Sequence, residues 1–322
     1  MKAVVADPIG GPENLKYIDV PKPEPASGEV LVKLAASGVN FIDVYFRKGI
    51  YKAPESPVKL GSEGAGTVAA VAADGAFKVG DRVAYTMARG SYAEYAAVPA
   101  RFLVKLPEAV SFEDGAAVML QGMTAHYLTR STFPLQKGET CLVHAAAGGA
   151  GLLIVQMAKI VGAVVIGTAS TEEKAQLAKE HGADHMILYT KSDFAEEVKK
   201  ITDGKGVNVV YDSVGSTTFH KSLECLRPRG MMVSFGQSSG PVGTIDPLAL
   251  SQGGSLYLTR PSLANYISDP AELRWRSSEV FEWIADGQLR VNIYKTYDLE
   301  DAASAHRDLE SRKTTGKLLL KP

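Results

Sequence analysis

Cysteine is nearly absent from this chain of 322 residues, occurring only as Cys141 and Cys225, and neither belongs to a Cys-x-x-Cys pair. Two thiols cannot supply a four-cysteine structural zinc site. Each lies in an apolar segment and reads as a small buried hydrophobe in a reducing compartment. An excess of either charge is also missing: 35 basic and 36 acidic side chains leave a formal net charge of −1. That balance argues against a basic face for nucleic acid. No apolar run reaches the roughly 20 residues needed to cross a bilayer. The opening "MKAVVADPIGG" has neither a signal-peptide core nor transit-peptide character. It reads as a first strand, and a cytoplasmic protein is expected. Low-complexity segments, charged tails and internal repeats are lacking too.

What is present fits a packed globular protein, with 45% hydrophobic and 22% charged residues and a length suited to two domains. Residues 1 to about 120 look mainly β: "KAVVA", "EVLVKLAASGV", "GAGTVAAVA", "DRVAYTM" and "SYAEYAAV" are separated by Gly, Pro and Asp. Many short, punctuated strands suggest a small barrel or sandwich. Around "FEDGAAVMLQGMTAHYLTRST" the apolar spacing becomes helical and hands over to a second domain. From Thr140 the strands "TCLVHAA", "AVVIGTA", "HMILY", "VNVVYDSV", "GMMVSFG" and "SLYLTR" alternate with helical segments. Short apolar strands alternating with amphipathic helices predict an α/β fold with a doubly wound parallel sheet. The C-terminal part is helical at "PAELRWRSSEVFEWIADG" and finishes on the strand-like "KLLLKP".

The segment "TCLVHAAAGGAGLLIVQMAK" places Gly148, Gly149 and Gly151 where a strand becomes a helix. In the dinucleotide fingerprint Ala146 takes the first position, Gly148 the second and Gly151 the third. The second position lets backbone approach a pyrophosphate, and the third lets the helix pack closely on its strand. The helix N-terminus then offers N–H groups and partial positive charge to the phosphates. An NAD site would carry Asp or Glu at the end of the second strand. Here "GTASTEEKAQ" puts Ser170 and Thr171 first and Lys174 one turn later. A small hydroxyl with a nearby lysine suits a 2′-phosphate, so NADPH is the expected cofactor. Ser170 with Glu173 also reads as a capping box, which is compatible with that role.

With these pieces in place, the whole chain resembles the zinc-independent quinone oxidoreductases, the zeta-crystallin-like branch of the medium-chain dehydrogenases/reductases. "GETCLVHAAAGGAGLLIVQMAK", including Gln156 and Lys159, is similar to that branch's signature. "GVNFIDVYFRKGIY" (38–51) resembles its active-site segment, and "DSVG", "MMVSFGQSSG" and "LYLTRPSL" its cofactor-lining loops. The resemblance implies a GroES-like β-barrel catalytic domain over residues 1–122 and 264–322 and a Rossmann NADPH-binding domain over 123–263. Zinc alcohol dehydrogenases carry Cys in G-[IV]-C-x-x-D and His in G-H-E, where this sequence has Asn40 in "GVNFID" and Ser62 in "GSE". Neither is a zinc-ligand type, so no metal is expected. A quinone, already a strong acceptor, needs little beyond proximity and orientation.

Asn40, Tyr45 and Tyr51 are candidate donors to a substrate oxygen, and the resemblance sets Asn40, Asp43 and Tyr45 beside the nicotinamide. Tyr45 either donates a proton or walls the pocket; Asp43 either takes part or anchors a loop. For the cofactor the resemblance implies Tyr127 from the linking helix and Gly149 and Ala150 at the pyrophosphate. It implies Ser170, Lys174 and Tyr189 at the adenosine end, and Val214 with Phe235, Gly236, Gln237 and Ser238 along the ribose and nicotinamide. Arg260, Pro261, Leu263 and Arg312 complete the set, Val214 and Phe235 alternatively being core and the two arginines surface ion pairs. His126 and His144 read as structural. The activity implied is NADPH-dependent reduction of small quinones, with reduction of the C=C bond of an alkenal or enone as the alternative. A non-enzymatic alternative is AU-rich RNA binding or a crystallin-like structural role, which the near-neutral charge argues against. A homodimer or homotetramer is implied, with "GSLYLTR" suited to an edge that a second copy would cover.

Overall fold

The computed structural model describes residues 1–72 and 75–322. These form two compact units. The first comprises Met1–Met123, Ile267–Gly287 and Val291–Pro322; the second comprises Thr124–Tyr266 and Gln288–Arg290.

The first unit begins with β1 (Lys2–Ala6), β2 (Leu15–Asp19), β3 (Glu29–Val39), α1 (Phe41–Arg47), β4 (Val58–Lys59) and β5 (Glu63–Val71). It continues through β6 (Arg82–Thr86), β7 (Tyr95–Pro99), β8 (Leu103–Lys105) and α2 (Phe112–Val118), and α3 (Gln121–Tyr127) leads out of it. The second unit alternates β9 (Thr140–Val143), α4 (Gly149–Val161), β10 (Val164–Ala169), α5 (Glu172–Glu180), β11 (His185–Leu188), α6 (Phe194–Ile201) and β12 (Val207–Asp212). It ends with α7 (Phe219–Leu223), β13 (Leu226–Ser234), α8 (Pro247–Gln252), β14 (Tyr257–Thr259) and α9 (Leu263–Tyr266). The chain then returns to the first unit as α10 (Pro270–Ala285), β15 (Ile293–Asp298), α11 (Ala302–Glu310) and β16 (Lys317–Lys321).

In the first unit β3 is the organising strand. One edge pairs along its length with β5; the other is shared, Glu29–Lys33 with β7 and Ser37–Val39 with β16. Breaks in register along the β3–β5 pair bend the sheet. Val30, Val32, Leu34, Val68, Val83 and Tyr85 fill one core beneath it, and Val4, Val39, Tyr92, Leu318 and Leu320 a second. The segment "SYAEYAAV" becomes a strand only from Tyr95, because Tyr92 and Glu94 offer their carbonyls to Val4 and Leu34 instead. The hand-over segment is two helices, α2 and α3, the first capped by Ser111 on the N–H of Asp114.

Among the described residues the second unit has one parallel sheet in the order β11-β10-β9-β12-β13-β14, the topology of a doubly wound Rossmann fold. Leu142, Ile166, Ile187, Val210 and Met232 put one residue from each of five strands into its core. The Cys225 thiol joins that core, and burial pushes its pKa up to about 12. His144 is buried between Thr168 Oγ1 at 3.0 Å and Ser222 Oγ at 2.8 Å, and burial lowers its pKa. Ser222 donates its own proton to Thr218 O, so His144 Nε2–H must be the donor to Ser222. Two pieces that the resemblance gives to the C-terminal part of the first unit belong here. Tyr266, closing α9, stacks on Tyr127 at 4.2 Å and accepts from Thr132. The Gln156 amide holds Arg290 through both its N–H and its carbonyl.

Candidate functional site

The order of the parallel sheet reverses between β9 and β12, and the carboxyl ends of β9, β10 and β11 lie side by side. The glycine-rich turn opens there. Gly148 is the N-cap of α4 in extended conformation; no side chain caps the helix, and its first turn carries no acid. Gly151 is fixed by packing: a Cβ there would fall 2.2 Å from Ala145 O and about 3.0 Å from Ala146 backbone. At Gly148 a single atom, Ala145 O at 3.2 Å, lies near such a Cβ, so this position is less crowded than Gly151. Uncapped N–H groups at Gly149 and Ala150, with a glycine before them, form the cradle a pyrophosphate requires.

One strand further along, β10 runs out at Ala169 opposite Leu188 of β11, so Ser170 and Tyr189 leave adjacent strand ends. Tyr189 is half exposed. Lys174 stands in the first turn of α5, and burial lowers its pKa. The N-cap of α5 is Thr171, whose hydroxyl accepts from the N–H of Lys174 at 3.3 Å. This corrects the capping box assigned to Ser170, because the helix begins one residue later. On the far side of the switch point, Asp212 accepts from the N–H groups of Val214 and Gly215 and from Thr218 Oγ1. The loop after β13 is laced to this turn: Phe235 N–H donates to Asp212 O, Ser238 N–H to Ser213 O and Ser239 Oγ–H to Val214 O. A Cβ at Gly236 would meet Ser213 backbone at 2.5 to 3.0 Å. Arg260 donates to the carbonyls of Ser234 and Gly236, both at 2.8 Å, so it clamps this loop and is not a surface ion pair. Leu263 is buried at the start of α9, and Pro261 is half buried just before it. Tyr127 is 2% exposed beneath Tyr266.

The candidates of the first unit gather where three strand ends meet. Antiparallel pairing sets Gly64 opposite Ser37 and Leu318 opposite Val39, so Glu63 and Lys317 flank the end of β3 from either side. The Glu63 carboxylate crosses over Gly38, where a Cβ would stand 2.2 Å from Oε1. There it pairs with the Lys317 ammonium, in a bridge whose side chains are 0% and 2% exposed. Asn40 closes the group. Its Oδ1 accepts from Lys317 Nζ at 2.8 Å and from Gln121 Nε2 at 3.1 Å, while its Nδ2 donates to Glu63 Oε1 at 2.6 Å. Asp43 has no exposed surface; it accepts from Asn40 N–H and Ser62 Oγ, each at 2.9 Å, and from Tyr92 Oη at 3.3 Å. Burial pushes its carboxyl up to about 7, against the pull of those donors. Behind Tyr92 lies buried His306, with Arg47 donating to its Nδ1. Arg47 can only donate, so His306 Nε2 carries the proton toward Tyr92.

Asn40 and Asp43 thus spend their polar atoms inside the unit, which corrects Asn40 as a donor to substrate. Tyr45 and Tyr51 sit differently: their rings meet edge to face at 5.2 Å, Phe41 and Phe46 pack beside them, and Tyr51 is 37% exposed. Arg312 is exposed in the turn after α11, at φ 60°, and belongs to the first unit. Sequence reasoning missed Glu63, Gln121 and Lys317 altogether. The "GSE" motif pointed at Glu63, but Gln121 and Lys317 carry no local signal.

A parallel sheet with a glycine-opened helix at its switch point, in one chain with a β-rich unit holding a polar centre at a strand junction, defines a two-domain dehydrogenase. Family models agree in both halves: "Alcohol dehydrogenase GroES-like domain" matches residues 26–108 and "Zinc-binding dehydrogenase" matches 149–264. The chain is 50% identical over 315 residues to a quinone oxidoreductase of Pseudomonas aeruginosa, covering 97% of each chain. It is 42% identical to a 2-haloacrylate reductase of a Burkholderia species, covering 99% of this chain and 98% of that one. The structure of Escherichia coli quinone oxidoreductase complexed with NADPH superposes with a TM-score of 0.98 at 45% identity, all of both chains being covered. The chain belongs to the quinone oxidoreductase family of the medium-chain dehydrogenases/reductases.

Proposed function

We propose that this protein transfers hydride from NADPH to small quinones. The observation that carries the cofactor half is the uncapped, acid-free N-terminus of α4 on the same sheet as the strand end that leads through Ser170 to Lys174 in the first turn of α5. Gly149 and Ala150 N–H groups hold the pyrophosphate; Ser170, Lys174 and Tyr189 hold the adenosine end with its 2′-phosphate. The loop of Phe235, Gly236, Gln237 and Ser238, held rigid by Asp212 and Arg260, supports the nicotinamide ribose with Val214. NADPH supplies the hydride. Tyr45 and Tyr51 wall the acceptor's side, and Asn40 and Asp43 position α1 and the strands around it.

Zinc does not fit this centre. The Asn40 carbonyl already faces the Lys317 ammonium, and Ser62 gives its proton to Asp43, so a divalent cation would meet a fixed positive charge. A quinone needs no Lewis acid, and this favours it over an alcohol, whose oxidation needs help in forming an alkoxide. The 2-haloacrylate reductase relative favours a second reading, hydride delivery to an activated C=C bond. Among the described residues no helix is long and apolar enough to cross a membrane. Edge strand β14, with Tyr257 58% exposed, suits pairing with a second copy in a homodimer or homotetramer.

The test is NADPH oxidation against a panel of quinones and one alkenone, with NADH as cofactor control and with and without a chelator. Chelator-insensitive, NADPH-preferring turnover of quinones is expected. Turnover confined to the alkenone would replace the quinone by the second reading.

A further inference from the structure

The buried ion pair of the first unit sets the direction of a side chain that no functional assignment has used. Lys317 Nζ can only donate and the Glu63 carboxylate can only accept. Asn40 lies between them, carbonyl to the ammonium at 2.8 Å and N–H to the carboxylate at 2.6 Å. Turned over, its amide would aim N–H at a cation and C=O at an anion, so its orientation is forced by charge. The atom 3.1 Å from Gln121 Nε2 is therefore the Asn40 carbonyl oxygen, and the Gln121 amide is fixed in turn. Its Oε1 faces the other way, buried and without a hydrogen-bond partner among the described residues. The neighbouring donors point elsewhere: Ser62 Oγ–H to Asp43, Asn40 Nδ2 to Glu63, the N–H of Leu120 to Glu63 Oε2, and two of the three Lys317 N–H groups to Asn40 and Glu63; none of them pairs with Gln121 Oε1.

A buried carbonyl oxygen aimed by three fixed partners and left unpaired calls for a donor from outside the chain. We infer that Gln121 Oε1 is a ligand contact, taking a hydrogen bond from a hydroxyl group of the reduced product. This rests on the quinone reading and sharpens it. Quinone oxygens are acceptors only. When the ring gains a hydride from NADPH and a proton from water, each oxygen becomes an O–H of the hydroquinone. The same Gln121 oxygen repels the quinone oxygen and attracts the hydroxyl, so the site favours the state that the reaction produces. Lys317 acts as a positioning residue at two removes, through Asn40.

The test compares binding of benzene-1,4-diol and of 1,4-dimethoxybenzene to the protein saturated with NADP+, in wild type and in Gln121→Leu. The ether keeps the ring and oxygens but has no proton to donate. Wild type should prefer the diol by about tenfold, the worth of one hydrogen bond, and the variant should bring the ratio close to one with NADP+ affinity unchanged. Gln121→Glu, which keeps an acceptor oxygen, should restore a preference for the diol. An equal ratio in wild type and Gln121→Leu, or no preference in wild type, would overturn the inference. The quinone reading fails separately: absence of quinone turnover would remove it while leaving the binding comparison to decide Gln121.

Discussion

In the proposed function Lys174 is the side chain that selects NADPH. The end of β10 offers no carboxylate to a ribose hydroxyl, and partial burial of the Lys174 ammonium lowers its pKa. A 2′-phosphate dianion restores what desolvation removes, through a charge-assisted hydrogen bond. Lys174→Ala should raise KM for NADPH by about tenfold to a hundredfold, and leave KM for NADH within about twofold. Steady-state kinetics with both cofactors check this; an equal loss for NADH would mean that Lys174 serves the helix and not the phosphate. The position of the lysine in the first turn of α5 was legible in the sequence because its neighbours are local. The cap was legible only approximately, since Ser170 and Thr171 offer the same hydroxyl and the chain's path decides which one begins α5.

At the scale of an element, the β9–α4 turn divides its labour between two glycines that look alike in sequence. Gly151 lets α4 lie on the strand, for a Cβ there would press on Ala145 and Ala146 backbone, which cannot rotate away. At Gly148 the Ala145 carbonyl oxygen would stand 3.2 Å from such a Cβ, a tight contact but far milder than the 2.2 Å at Gly151. Gly151→Ala should therefore cost about 1–3 kcal/mol, seen as a lower Tm without cofactor. Gly148→Ala should lower the Tm of the free protein by less than Gly151→Ala does and weaken NADPH binding more. Thermal melts with and without NADPH separate the two, and the reverse pattern would refute the assignment. The fingerprint spacing announced both glycines, but only packing distinguishes them.

On the scale of the whole molecule, buried titratable groups tie stability to pH. His306 is held neutral, its pKa lowered to about 3 by burial and then by Arg47. The unfolded chain binds that proton near pH 6.5, so this group's contribution is intact above 6.5 and declines as pH falls toward 3, by about 1.4 kcal/mol per pH unit. Asp43 works in the opposite sense: its carboxyl, raised to about 7, takes up a proton in the folded state first and offsets part of the slope. The His306 term is isolated by comparison. Between pH 7 and 5 the Tm should fall more steeply in wild type than in His306→Gln, and parallel slopes would place the titration elsewhere.

Periodicity and punctuation are local properties, and they carried the alternating strands and helices of the second unit, its glycine turn and the lysine one strand away. Those features depend on residues within one βα repeat of each other, so the order of residues nearly dictates them. The polar centre of the first unit is different in kind. Lys317 reaches Glu63 across 254 positions and Asn40 across 277, and only antiparallel pairing of β16 and β5 on either side of β3 makes them neighbours. Asn40 was visible in its motif, yet its role was not, because the partners that spend its amide are remote in the chain. Gln121, at the start of an ordinary-looking helix, gains its orientation from a charge pair that does not exist until the sheet closes around β3. Sequence determined which groups were available here; tertiary pairing decided which of them face inward, since the direction of a hydrogen bond is fixed by its partner.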